Sequence, residues 1–179
     1  MSQIGNLYGQ ALYGLAKEEN LSDVLLGELT VLEQSFREEP QFLRLLSAPN
    51  ITVPERCRII DECFRGKVHQ YILNFLKILT EKGVVKSFAA CVSVFEAQYN
   101  EDHQILPVTA VTAVPLSKGQ IDRLTEKISN LTGKYASVTN QIDPNCVGGV
   151  RLDYDGKRID GSVAYRLASV RNMLKNTVL

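Results

Sequence analysis

The first hundred residues alternate between short apolar repeats and brief polar breaks, the pattern of one helix following another. Ile4, Leu7, Ala11 and Leu15 recur at helical spacing, and Tyr8 and Leu12 add a second apolar stripe beside them. After Asn20, Ser22 is placed to cap a helix whose apolar positions include Leu25, Leu29, Leu32 and Phe36. Pro40 opens a short helix with Phe42, Leu43 and Leu46, which Pro49-Asn50 ends. Thr52-Val53-Pro54-Glu55 is a capping box, a hydroxyl followed at the right interval by a carboxylate. Ile59, Ile60, Cys63 and Phe64 then point inward, and Gly66 closes the turn. The run YILNFLKILTEKG, residues 71–83, is apolar on most of its circumference, as expected of a helix touched on several sides. Gly83 breaks it, and a last helix is expected from about Val84 to Asn100. The sum is a six-helix bundle with short connections.

The punctuation changes near residue 104. ILPVTAVTAV, residues 105–114, is β-branched and strand-like, and Pro107 near its start suggests an edge strand. Ser117-Lys118-Gly119-Gln120 is a second capping box, and Ile121, Leu124, Ile128 and Leu131 give the following helix one apolar stripe. Gly133 suits its C-terminal cap. YASVTNQI alternates as a strand, Asp143-Pro144 turns the chain, and Val147 to Tyr154 reads as another strand. Asp155-Gly156 is a hairpin turn and Lys157 to Ile159 the returning strand. From Ser162 onward, Val163, Leu167, Val170 and Leu174 line a final helix. The fold class is therefore mainly α with a smaller α/β part. An N-terminal six-helix bundle (1–104) precedes a small C-terminal α/β domain with a β-hairpin (105–179).

Composition narrows the function. The 179 residues carry 20 Lys+Arg against 20 Asp+Glu, a net charge of zero that speaks against general nucleic-acid or anionic-membrane binding. Apolar residues make up 45% and charged residues 22%, so a real core is available without metals or disulfides. Cys57, Cys63, Cys91 and Cys146 form no C-x-x-C pair, and the first residues lack the basic and apolar blocks of a signal peptide. A reducing, cytosolic compartment with buried free thiols is expected. No apolar run is long enough to span a membrane.

The stretch CVGGVRLDYDGKRIDGSV, residues 146–163, has the glycine density of a phosphate cradle but not its spacing. Gly-Lys occurs at 66–67, 133–134 and 156–157, followed by Val68, Tyr135 and Arg158 where a P-loop needs Ser or Thr. G-x-G-x-x-G is also absent. An architectural reading explains more: positive φ at Asp155-Gly156, a bulge or close backbone approach at Gly148-Gly149, and helix capping by Asp160 or Ser162. His69 and His103 stand in no metal-ligand spacing, and cysteines at apolar helical positions are ordinarily small core residues. No catalytic residue, cofactor site or metal site is expected. What self-packing leaves unexplained is the doubled apolar stripe of the first helix and the nearly all-round apolarity of residues 71–79. The two helices can flank a groove for a partner's amphipathic helix, or both can be central bundle helices. Periodicity alone leaves both open. Tyr165, Arg166, Arg171 and Lys175 on the last helix read as a solvated face.

The order of a helical bundle and a small α/β domain resembles the delta subunit of F-type ATP synthases, called the oligomycin-sensitivity-conferral protein in mitochondria. The resemblance covers essentially the whole chain. IDPNCVGGVRLDYDGKRIDGSVAYRL is similar to the family signature, matched by Asp143, Gly148, Gly149, Asp160, Gly161, Ser162, Arg166 and Leu167. YGQALYGLA and NFLKILTEKG are similar to the family's first and fifth helices. Two features depart from the pattern: Gly83-Val84 where the family often has Gly-Arg, and Cys57, Cys63 and Cys91. The resemblance implies a noncatalytic stator subunit, one copy per complex, that couples proton-driven rotation to ATP synthesis by joining the catalytic head to the peripheral stalk. It implies that the bundle receives an N-terminal helix of an alpha subunit, at Tyr8, Ala11, Leu12 and Leu15 with Asn74, Ile78 and Leu79 opposite. It further implies that the C-terminal domain engages the C-terminal ends of the b subunits, at the cytoplasmic face of the cell membrane and without insertion. Two other readings are an unrelated helical adaptor and a small nucleotide-dependent enzyme.

Overall fold

A computed structural model of the chain describes residues 3–146, 148–163 and 165. The chain forms two compact units, Met1–Tyr99 and Asn100–Leu179. Together they are mainly helical with a small four-stranded sheet in the second unit.

In the first unit, α1 (Gln3–Glu18), α2 (Ser22–Glu38), α3 (Pro40–Leu46), α4 (Val53–Phe64) and α5 (Gln70–Glu81) follow in order, and α6 (Phe88–Asp102) begins there after a 3₁₀ turn at Val85–Ser87. Leu25, Leu29, Leu32 and Phe36 are all buried, as the periodicity of α2 requires. Phe36 is the aromatic centre, stacked on Phe42 and edge-on to Phe64 and Phe88. Such pairs add about 0.5–1.5 kcal/mol each beyond the area they bury. Two boundaries differ from the sequence expectation. Asn20 takes a left-handed φ of 55° and turns the chain so tightly that Leu21, not Ser22, holds the cap position of α2. The last helix starts at Phe88 because the chain first makes the 3₁₀ turn.

Caps fix the other ends. The Thr52 amide donates to Glu55 Oε2 (3.0 Å), completing the box that opens α4. His69 caps α5: its Nδ1 accepts from the Tyr71 amide, while its own amide donates to Glu28 Oε2 at 2.6 Å and ties α5 to α2. Gly83, at φ 68°, ends α5 in a Schellman turn, with Gly83 N–H to Thr80 O and Val84 N–H to Leu79 O.

Lys77 of α5 sits 2.7 Å from Asp61 of α4. That close ion pair, with help from the Arg65 charge and against partial burial, holds the Asp61 carboxyl below the usual carboxylate range. A depressed folded-state pKa gives stability that is present above the unfolded value and lost as pH falls through the folded one. Asp61→Asn is therefore expected to lower thermal stability at neutral pH and to flatten its decline below about pH 4. Melting curves from pH 7 down to acid check this; parallel curves for the two proteins contradict it.

In the second unit the strand order is β2-β1-β3-β4, from β1 (Ile105–Thr112), β2 (Tyr135–Ile142), β3 (Val150–Tyr154) and β4 (Lys157–Asp160). β1 runs parallel to β2, and β3 is antiparallel to both β1 and β4. The edge position expected for β1 is thus wrong: it is a central strand. Tyr135 N–H donates to Gln104 O and Asp143 N–H to Thr112 O, so even-numbered residues of β1 face β2. Pro107 turns its nitrogen the other way, where pairing with β3 covers only Thr109–Thr112. No ladder bond is lost.

α7 (Lys118–Thr132) crosses one face of this sheet, opened by the Ser117–Gln120 box and closed by Gly133 at φ 70°. Its stripe is half-buried at Ile121, Leu124 and Ile128, the last packing on Leu106, Val108 and Ala136. Leu131, expected in that stripe, is 86% exposed in the last turn of α7.

Candidate partner-docking face

α1 has two sides of opposite character. Gly5, Gly9, Leu12, Tyr13 and Ala16 are buried, with Tyr13 edge-on to Phe95 of α6 at 5.2 Å. Ile4, Leu7, Ala11 and Leu15 are exposed, Leu7 by 66% and Leu15 by 37%. The stripe that opens the sequence is thus the outward one, and the core-facing side is largely glycine and alanine. Tyr8 is half-buried between the two.

α5 repeats the contrast. Ile72, Leu73, Phe75, Leu76, Leu79 and Thr80 are buried, whereas Gln70, Asn74, Ile78 and Glu81 form an exposed line. Gln70 Nε2 donates to Asn74 Oδ1 at 2.9 Å, which fixes the amide beside Ile78 (43% exposed). Of the residues expected in a groove, Tyr8, Ala11, Leu15, Asn74 and Ile78 reach the surface. Leu12 and Leu79 do not: both belong to the bundle core, at 6% and 0% exposure.

Ile4 and Leu7 were not expected in the face. Their signal was the spacing of Gly5 and Gly9, which marks the side where α1 comes closest to a neighbour and so leaves the opposite side outward.

Among the described residues, the glycine-rich stretch is taken up by turns, a backbone crossing and caps. Asp155 (φ 47°) and Gly156 (φ 68°) make the tight turn of the β3–β4 hairpin. Gly149 has φ 82°, and a Cβ there would stand 2.8 Å from Gly161 O and 3.1 Å from Ser162 Cα. Gly161 in turn donates its amide to Val150 O, and Val163 to Gly148 O. Asp160 Oδ1 accepts from the Ser162 amide and Ser162 Oγ from the Tyr165 amide, so the two caps expected as alternatives operate in series. The Ser162 hydrogen bonds lower the Asp160 carboxyl below its usual range. Asp143 Oδ1 accepts from the Asn145 amide, holding the turn before Cys146. β3 starts at Val150, later than expected, because Gly148 and Gly149 are spent on this crossing. Arg166 and Leu167, and the expected final helix beyond residue 165, lie outside the described residues.

Chemistry is sparse. Among the described residues no His/Cys/Asp/Glu group is arranged to hold a metal ion. The thiols of Cys57 and Cys63 are half-buried, and burial pushes the Cys91 thiol up to about 11, far from nucleophilic. Arg158, which follows the Gly156-Lys157 pair, is committed to Asp153 at 2.8 Å, and Asp153 is held low mainly by that bond.

The described residues thus combine two compact units, a capped hairpin at the glycine-rich stretch and an exposed apolar stripe on the first helix. The model of the ATP synthase delta (OSCP) subunit family matches residues 4–174. The ATP synthase subunit delta of Alkaliphilus oremlandii is 32% identical over 176 residues, covering 98% of each chain. That of Lactobacillus gasseri is 31% identical over 173 residues, 96% of this chain and 94% of that one. A chain in the cryo-EM structure of the Toxoplasma gondii mitochondrial ATP synthase hexamer shares the fold, with TM-score 0.75 over 97% of this chain and 98% of that one at 21% identity. The chain belongs to the ATP synthase delta (OSCP) subunit family. It is a structural subunit, not an enzyme by itself, in the stator that links the catalytic head to the peripheral stalk. Its association with the membrane is as part of that complex, and no helix among the described residues is long and apolar enough to cross one.

Proposed function

We propose that this subunit joins head to stalk through two separate surfaces, one on each unit. The six-helix bundle of residues 1–104 takes the N-terminal amphipathic helix of one alpha subunit on the outward faces of α1 and α5. The α/β domain of residues 105–179 takes the C-terminal ends of the b subunits. One copy serves each complex, at the cytoplasmic face of the cell membrane, and holds the head against the torque of the proton-driven rotor.

The observation that carries the first half is the exposed line Ile4, Leu7, Ala11 and Leu15 on a helix whose opposite side is already packed. An apolar stripe at helical spacing fits a partner helix that presents its own anchors at i, i+3, i+4 and i+7. A stator contact must dissociate slowly, and buried apolar anchors lower the off-rate more effectively than rim charges do. The nucleotide-dependent alternative loses its basis because the glycines are occupied with turns and a backbone crossing.

Adding a synthetic peptide of the alpha-subunit N-terminus to the ¹⁵N-labelled full chain is expected to shift amides of α1 and α5. Shifts confined to the second unit, or none at saturating peptide, contradict the assignment.

A further inference from the structure

The outward face of α1 is positioned from behind by two glycines. A Cβ at Gly5 would lie 2.9 Å from Ala90 Cβ and 3.2 Å from the Ala90 carbonyl atoms. One at Gly9 would lie 2.6 Å from the Cys91 carbonyl oxygen and 2.8 Å from Val94 Cβ. Distances under 3.0 Å are essentially never seen for real Cβ atoms, so α1 reaches this depth against α6 only because both positions lack a side chain. Glycine in mid-helix weakens a helix relative to alanine, and twice at this spacing on one side it has a packing reason. Gly27, on the exposed side of α2, meets nothing within 4 Å and has none.

If the contact is overfilled, one helix must yield. α6 cannot: Phe88, Cys91, Val92 and Phe95 lie at 0–2% exposure inside the core. α1, open to solvent along its far side, can. Its retreat carries Tyr8, Ala11 and Leu15 outward while Ile78 stays with a helix anchored by Ile72, Leu76 and Leu79.

We propose that Gly5 and Gly9 are positioning residues for alpha-subunit docking: they set how deep α1 lies against α6, and so the shape of the face offered to the partner. This rests on the docking reading above. Overpacking a tight contact shifts backbone rather than compressing it, and a rigid helix binding two neighbours at once does not follow such a shift.

The test is the affinity of the full chain for the synthetic alpha N-terminal peptide. Gly5→Ala and Gly9→Ala are each expected to weaken it about tenfold or more, a loss of ~1.4 kcal/mol per decade, with helical circular dichroism retained. Gly27→Ala, which gains the same helix propensity without a clash, binds as the wild type does. Adding Ala90→Gly to Gly5→Ala removes the shortest contact and restores affinity to within about twofold. Adding Val94→Ala to Gly9→Ala does not, because the Cys91 carbonyl remains in the way. Wild-type affinity in both alanine variants overturns the proposal, and if Gly9→Ala does not fold, the Gly5→Ala and Ala90→Gly pair decides alone. If the wild type itself fails to bind, the docking reading has failed, and the Tyr13–Phe95 ring contact in Gly9→Ala, followed by NMR, judges the positioning separately. Its loss supports the role of Gly9 in setting the depth of α1, and its persistence overturns that role.

Discussion

Leu15→Asp is expected to cost at least a hundredfold in affinity for the alpha-subunit N-terminal helix while leaving the fold intact, and Ala11→Asp is expected to do the same. Leu15 is 37% exposed and Ala11 is exposed, so in the free protein each new carboxylate stays in water. Stability should change by about 1 kcal/mol or less, as for surface substitutions away from special features. Once a partner helix covers the face, the same carboxylate is stripped of water with no cation to meet it. Burying an unpaired charge costs several kcal/mol unless the group takes up a proton, and ~2.7 kcal/mol already corresponds to a hundredfold loss. Leu79→Ala makes the contrast. Leu79 is fully buried, so its truncation is expected to cost about 2–5 kcal/mol of stability. Peptide titration paired with thermal melting separates the two kinds of defect. A Leu15→Asp protein that binds normally places the docking face elsewhere; one that melts early shows Leu15 to be core.

The second large effect is expected at Gly149. Gly149→Ala places a Cβ at φ 82°, where L-residues pay roughly 1–2 kcal/mol. It also drives that Cβ to 2.8 Å from the Gly161 carbonyl oxygen, and a main-chain atom cannot rotate aside. With overpacking at ~1–3 kcal/mol, a total near 2–5 kcal/mol falls on the crossing that orders Asp160, Gly161 and Ser162. The amide of Gly161 should lose its bond to Val150 O, and with it the entry to the segment after β4. Hydrogen exchange is expected to show lost protection in β3 and β4 and unchanged protection in α2 and α5. Protection unchanged in β3 and β4 would mean that the chain absorbs the side chain, and that Gly149 is dispensable to this architecture.

Much of the fold was legible because it is written in local chemistry. The Thr52–Glu55 and Ser117–Gln120 boxes, the Gly83 and Gly133 caps and the Asp155-Gly156 turn each depend on neighbours a few residues away. What escaped depends on distant partners. Pro107 signals an edge only if its nitrogen needs a donor's place, and the truncated pairing with β3 removes that need. Leu131 continues the period of α7, yet it is left exposed in the last turn. The face of α1 was half legible. Periodicity found Ile4, Leu7, Ala11 and Leu15 but cannot say which side of a doubly apolar helix turns inward. Close packing on α6 decides that, and it selects the side with Gly5 and Gly9 because the missing side chains let α1 come into van der Waals contact with α6 there. Leu12 and Leu79 illustrate the same limit, for a resemblance carries over positions and not depth.

On the proposed function, this chain works by holding a helix of the catalytic head and not by chemistry of its own. Calorimetric titration of the full chain with the alpha-subunit N-terminal peptide, and separately with ATP, tests it most directly. Saturable binding of one peptide per chain with a negative heat-capacity change, the mark of apolar burial, and no saturable heat from ATP is the result predicted. Saturable ATP binding with no peptide binding would contradict it.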